Sequence, residues 1–168
     1  MVNARKQLRL QEYDYASNGA YFVTVCSRNK AHIFGRVVGA GPLAGPFTEL
    51  SSLGAVVQRR ILEIPQVYKG VYLDAYSVMP NHIHMVLRFE CPEGPAGGPA
   101  PTSLPKVISS LKSLSSRDAG QHLWQRSYYE HVCRSYEDYL ACAEYTINNP
   151  SKWSEDQYCE NSKTEIIT

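Results

Sequence analysis

The sequence predicts an α+β domain, an antiparallel sheet with helices packed against one face. Three observations carry that expectation. Aromatic and β-branched runs mark strands at 21–26, 71–78 and 82–89. Apolar residues at three- and four-residue steps mark helices beginning near Thr48 and Leu104. The strands at 71–78 and 82–89 are separated only by Met79-Pro80-Asn81, which makes a hairpin or tight corner.

Taken in order, residues 1–16 are polar and carry Arg5, Lys6 and Arg9, the composition of a basic arm. The run YFVTVC at 21–26 follows an Asn18-Gly19 turn and reads as a central strand. Residues 33–38 suit a short second strand, and GAGPLAGPF at 39–47 has too many glycines and prolines to continue it. From Thr48, the stripe Leu50, Leu53, Val56, Val57, Ile61 and Ile64 predicts an amphipathic helix, capped by Thr48 or Ser51 and ended by Pro65. After the hairpin, the Pro/Gly-rich segment 91–103 is a flexible surface loop. Leu104, Val107, Ile108, Leu111 and Leu114 form a second helical stripe. WQRSYYEHVC at 124–133 has strand character, and 137–149 reads as a final helix with Ser135 as cap and Pro150 as stop. The core therefore spans about 18–153, followed by an acidic tail at 154–168, all in one domain.

Composition narrows the function classes. The 168 residues suit one domain, and the formal charge of +1 predicts neither a strongly basic coat nor an acidic tail protein, so any electrostatic footprint is local. Apolar content of 43% with 20% charged residues excludes a wholly disordered chain. No apolar run approaches the roughly 20 residues of a membrane span, and the N-terminus lacks a secretion-signal core, so the expectation is a soluble, cytoplasmic protein with no membrane partner. Cys26, Cys91, Cys133, Cys142 and Cys159 contain no C-x-x-C pair and read as reduced thiols filling the core. With 12 tyrosines, abundance alone picks out no tyrosine as special.

The segment Asn81-His82-Ile83-His84 is the most informative. On a strand, positions i and i+2 share a face, so His82 and His84 lie side by side while Ile83 enters the opposite face. Two neutral imidazoles so placed can chelate a divalent metal; they are also compatible with ordinary sheet histidines. On the last helix, Tyr145 and Asn149 are one turn apart and project together. The plain alternative is that Tyr145 packs in the core and Asn149 caps the helix. The two groups fit each other chemically. Two imidazoles and an amide oxygen would give a metal three protein ligands with open positions for a phosphate, and Tyr145 would then hold its phenol beside that phosphate. A phenol of pKa ~10 is a weak nucleophile at neutral pH, so it needs positioning and a charged electrophile. Asn148 is an alternative ligand, Tyr128 and Tyr129 are alternative phenols on opposite sides of one strand, and His131 is a further candidate imidazole. Imidazole and oxygen donors point to Mg²⁺ or Mn²⁺.

The runs VMPNHIH (78–84), WQRSYYEHV (124–132) and YTINNP (145–150) together resemble the single-tyrosine HUH transposases, and among them the REP-associated tyrosine transposases, over about 21–153. That resemblance implies a ferredoxin-like sandwich with the histidine pair on a middle strand of an antiparallel sheet and the tyrosine on a helix beside it. Carried over by residue, it implies His82, His84 and Asn149 as metal ligands and Tyr145 as nucleophile. It implies nicking of single-stranded DNA hairpins through a 5′-phosphotyrosine, with rejoining as the reverse reaction, by a monomer or homodimer near the nucleoid. Between Leu104 and Arg134 five cations stand against two carboxylates. Lys106, Lys112, Arg117, Arg126 and Arg134, with Arg5 and Lys6 of the arm, are accordingly expected to follow the DNA backbone. A non-catalytic hairpin binder on the same scaffold is the alternative. A two-histidine phosphoesterase fits less well, because the single H-I-H has no second copy.

Overall fold

A computed structural model describes residues 18–39, 45–90 and 102–159. Strand β1 (Gly19–Cys26) is buried at both alternating sets of positions. Tyr21, Val23 and Val25 are buried on one face, Phe22 and Thr24 on the other. Strand β5 (His82–Phe89) repeats this, with Ile83, Met85 and Leu87 opposite His82, His84 and Val86. Strands buried on both faces require cover on both. The two therefore lie at the centre of a four-stranded antiparallel sheet of order β4-β5-β1-β6, with β4 (Val71–Met79) and β6 (Tyr129–Cys133) at the edges.

Helices α1 (Ser52–Val67) and α2 (Leu104–Ala119) cover one face. Val57, Ile61, Val107, Ile108 and Leu111 pack on Tyr21, Val23, Met85 and Leu87, each such burial stabilising by roughly 1.5–3 kcal/mol. Helix α3 (Tyr136–Asn148) covers the other, where Tyr139, Cys142 and Ala143 meet Phe22, Ala75 and Val86. Helices thus flank both faces of the sheet, correcting the expectation of one covered face. The reason lies in the double-sided burial of β1 and β5, whose second face carries Phe22 and Val86 together with Thr24, His82 and His84.

Four local boundaries also differ from expectation. Residues Phe47–Leu50 form β3, paired with β2 (Gly35–Val38) in a separate two-stranded ladder, so Thr48 and Leu50 are strand residues and the helix starts after Ser51. The Ser51 hydroxyl accepts from Gly54 N at 3.1 Å and donates to Ile33 O at 2.6 Å, which ties the start of α1 to the loop before β2. Pro65 does not end α1; it sits on the exposed side of the last turn, and the helix continues to Val67 because the Tyr68 N–H still reaches Ile64 O at 3.0 Å. Trp124 is not part of β6. It forms an isolated bridge with Ser27, its ring is buried, and its indole N–H donates to Ser115 Oγ at 2.8 Å, so an aromatic run that reads as strand instead seats one large side chain in the core.

Asn149 keeps helical angles (φ −57°, ψ −40°) and opens a 3₁₀ segment, Asn149–Glu155, so Pro150 changes the winding of the chain without ending it. The packed chain extends past 153, with Asp156 buried, which moves part of the expected acidic tail into the body of the domain. The expected arm at 1–16 and residues 91–101 of the expected loop lie outside the described residues. Among the described residues no helix is long and apolar enough to cross a membrane.

Candidate metal and nucleophile site

The even positions of β5 place His82 and His84 on the α3 side of the sheet, in register with Cys26 and Thr24 of β1. Both are fully buried, and their Nε2 atoms face each other at 3.0 Å. The far side of each ring is held. His82 Nδ1 lies 2.8 Å from Asn81 Oδ1, and His84 Nδ1 lies 2.8 Å from Thr24 Oγ1. Asn81 settles the first tautomer. Its Nδ2 donates to Lys30 O at 3.3 Å and Tyr158 O at 2.8 Å, so its Oδ1 accepts the His82 Nδ1 hydrogen and the Nε2 lone pair points inward. Burial, reinforced by the neighbouring His84, pushes His82 down to about 2 against a smaller upward pull from Asn149. Burial alone pushes His84 down to about 3. Both rings are neutral at physiological pH, the form that binds metal.

Because Asn149 retains helical angles, its side chain sits one turn below Tyr145. The Tyr145 ring lies 5.3 Å from His84 and 5.8 Å from Phe22, with Phe22 stacked on His84 at 5.2 Å. Tyr145 remains partly exposed, at 37%. Its phenol is raised above the ordinary value by burial and then by the Asp156 charge, while the Asn149 amide draws it down. Asn149 is buried and Asn148 exposed, so of the two amides Asn149 faces the imidazoles.

One residue of the site escaped the sequence reading. Asp156 is buried, its Oδ2 stands 3.7 Å from His82 Nε2, and its Oδ1 accepts from Tyr158 N at 2.8 Å. The segment that carries it closes over the histidines. The Trp153 and Tyr158 rings lie 5.9 Å and 4.6 Å from His82, and burial raises the Tyr158 phenol to about 12. No motif announced Asp156; the only available signal was an aromatic-acidic stretch, Trp153 to Tyr158, too rich in rings for a solvated tail.

The donor set fits a divalent cation. Ligand atoms of His82, His84 and Asp156 lie within 4.8 Å of one another. Asp156 Oδ2 is buried without a hydrogen-bond partner, an arrangement that costs several kcal/mol for a carboxylate unless a cation answers it, and the buried Asn149 amide stands against His82 and Tyr145. Two imidazole nitrogens and a carboxylate oxygen gather at one point of the fold, with the Asn149 amide against His82.

The expected DNA-contacting cations divide. Arg117 and Arg126 are exposed along one groove between α2 and the 121–126 loop, together with His122. Lys106 is exposed on α2. Arg134 is exposed at a different groove, beside Arg88 and Tyr136. Lys112 is occupied structurally, donating to the carbonyls of Gln125, Arg126 and Ser127 at 2.8, 3.2 and 3.1 Å. Arg5 and Lys6 lie outside the described residues. Of the alternative groups, Tyr128 packs partly against the α1/α2 core, Tyr129 is half-exposed near Phe22, and His131 pairs with Asp138 at 2.9 Å.

No family model matches the chain. Its fold matches that of the REP-associated tyrosine transposase solved bound to a REP hairpin, with a TM-score of 0.60 at 20% identity, over 85% of this chain and 74% of that one. In sequence it is 31% identical over 174 residues to an uncharacterised protein of Haemophilus influenzae, covering 93% of each. The chain therefore belongs to the family of that Haemophilus influenzae protein, and its scaffold is the transposase fold.

Proposed function

We propose that the chain is a divalent-metal-dependent endonuclease and strand transferase that acts on single-stranded DNA hairpins, with Tyr145 as nucleophile. The observation that carries this reading is the approach of the Tyr145 ring to within 5.3 Å of His84 in a pocket that also gathers His82, Asn149 and Asp156. His82, His84, Asn149 and Asp156 would hold the metal, Mg²⁺ or Mn²⁺. When bound, the metal supplies positive charge against a phosphate oxygen and the Tyr145 phenol.

The remaining chemistry belongs to the chain. Asn81 and Thr24 hold the imidazoles in their ligand orientation, as partners behind metal-binding histidines do. Asn149 draws the Tyr145 phenol toward ionisation, opposing burial and Asp156. The Tyr145 oxygen forms a bond to phosphorus while the bond from phosphorus to the 3′ oxygen breaks. The phenolic proton is balanced by protonation of the leaving 3′-hydroxyl, and the 5′-phosphate stays on the tyrosine. Reversal with another 3′-hydroxyl rejoins strands without a nucleotide cofactor. Arg117 and Arg126 line a groove suited to phosphates, and a DNA-associated, cytoplasmic protein follows from this reading.

The test is incubation of the protein with an end-labelled DNA hairpin and Mn²⁺. The expected product is a denaturation-resistant protein–DNA adduct that disappears in Tyr145→Phe. An adduct that persists in that variant removes Tyr145 from the role. A second reading, a hairpin-binding protein that does not cut, is favoured by the full burial of both imidazoles beneath Trp153 and Tyr158. Tight hairpin binding with no adduct under either metal would select it.

A further inference from the structure

Strand β6 and helix α3 bring together a second group of ligand-type side chains. His131 and Cys133 occupy alternate positions of β6, so both face α3, and Asp138 and Cys142 are one turn apart on the facing side of that helix. His131 Nε2 lies 2.9 Å from each Asp138 carboxylate oxygen, and Cys142 Sγ lies 3.9 Å from Asp138 Oδ1. The ligand atoms of these three residues fall within 4.8 Å of one another, and the Cys133 thiol neighbours that of Cys142.

Part of this has a simple structural explanation. The Ser135 hydroxyl accepts from Asp138 N at 3.1 Å and Asp138 Oδ2 accepts from Arg134 N at 3.0 Å, so Asp138 belongs to the cap of α3 and His131 extends that cap. Capping does not account for the Cys142 thiol on that carboxylate, nor for the Cys133 thiol beside Cys142. A tetrahedral ion with bonds of about 2.0 Å to nitrogen and oxygen and about 2.3 Å to sulfur sets its ligand atoms roughly 3.3–3.5 Å apart. The two separations at Asp138, 2.9 and 3.9 Å, bracket those values, and the His131 nitrogen and Cys142 sulfur lie within 4.8 Å of each other, so side-chain adjustment brings the three donors to one ion.

We propose that His131, Asp138 and Cys142 form a second cation site, for a thiophilic divalent ion of the Zn²⁺ kind, with Cys133 as the neighbouring thiol that completes it. Binding displaces the thiol protons of Cys142 and Cys133 to solvent and moves the His131 hydrogen from Nε2, where it is donated to Asp138 in the ion-free chain, to Nδ1, so that Nε2 and both Sγ atoms present lone pairs. Without an ion the thiols stay protonated: burial pushes Cys133 up to about 12 and raises Cys142. An occupied site ties the first half of α3 to β6, one turn before Tyr145, and so stiffens the helix that carries the proposed nucleophile. The donor sets of the two sites differ, sulfur being present only in this one, which gives a spectroscopic handle on it.

The test is titration of the reduced, metal-free full chain with Co²⁺ as the probe. The expected result is an intense thiolate-to-Co²⁺ charge-transfer absorption with tetrahedral ligand-field bands, discharged by Zn²⁺. It is lost in Cys142→Ser, weakened at least tenfold in apparent affinity in His131→Gln, and retained in His84→Ala, which disables only the other site. Circular dichroism confirms that each variant is folded. Absence of the charge-transfer band in the wild type, or its survival in folded Cys142→Ser, overturns the proposal. The outcome is independent of DNA cleavage, because it is read without DNA.

Discussion

His82 Nε2 and His84 Nε2 face each other at 3.0 Å in a fully buried pocket, each ring pinned from behind, by Asn81 and Thr24 respectively. With the His82 hydrogen on Nδ1, the close pair is satisfied in the metal-free chain when the His84 hydrogen stands on Nε2 and is donated to His82 Nε2, the Thr24 hydroxyl then donating to His84 Nδ1. A cation entering the pocket would take the place of that hydrogen, and burial of the two neutral rings sets the first prediction.

Acid should destabilise the metal-free protein. Both imidazoles protonate far below the ordinary 6.5, at about 2 and about 3, so between those values and 6.5 the unfolded chain binds more protons than the folded one. Stability is then full above pH 6.5 and falls as pH drops, by roughly 2 kcal/mol per imidazole at pH 5. Urea unfolding at pH 7, 6 and 5 measures this, and His84→Gln should flatten the profile. An unchanged midpoint across that range would mean the histidines are not buried neutral.

Asp156→Asn should move two properties in opposite directions. Removing a buried carboxylate whose Oδ2 has no hydrogen-bond partner relieves desolvation, so the metal-free protein gains about 1 kcal/mol or more. Loss of an anionic donor beside His82 lowers Mn²⁺ affinity tenfold or more, about 1.4 kcal/mol. Thermal melting without metal and calorimetric titration with Mn²⁺ read the two effects. A destabilised variant with undiminished affinity makes Asp156 a packing residue only.

Lys112 and Arg126 should separate structural from DNA-facing cations. Lys112→Met removes three donations to loop carbonyls and is expected to cost about 1–3 kcal/mol of stability. Arg126→Ala, on the exposed groove, should leave the melting temperature nearly unchanged and reduce the slope of log affinity for a hairpin loop against log salt by about 0.7. Equal salt slopes for wild type and Arg126→Ala would move the DNA path elsewhere.

Gly54→Ala should be destabilising by about 1–3 kcal/mol, because a Cβ at that point would lie 1.9 Å from the Phe34 carbonyl oxygen, a backbone atom that cannot step aside. Chemical denaturation measures the loss. A neutral result would mean that α1 shifts freely on the Phe34 backbone ahead of β2.

By itself the sequence determined the local geometry of the chemistry. Period two on β5 put His82 and His84 on one face, and period 3.6 on α3 put Asn149 a turn below Tyr145, since both follow from backbone geometry over a few residues. It also determined the α+β class and a reversal of the chain at Met79-Pro80-Asn81, hairpin or tight corner, which the antiparallel pairing of β4 with β5 makes a hairpin. The tertiary structure alone decided that α3 covers the face opposite α1 and α2, that Trp124 leaves the strand for the core, that Lys112 holds a loop, and that Asp156 joins the histidines. Those outcomes rest on contacts between residues far apart in the chain. An isolated aspartate after a 3₁₀ turn has no periodicity to mark it, and only the packing of Trp153 and Tyr158 over β5 carries its carboxylate inside.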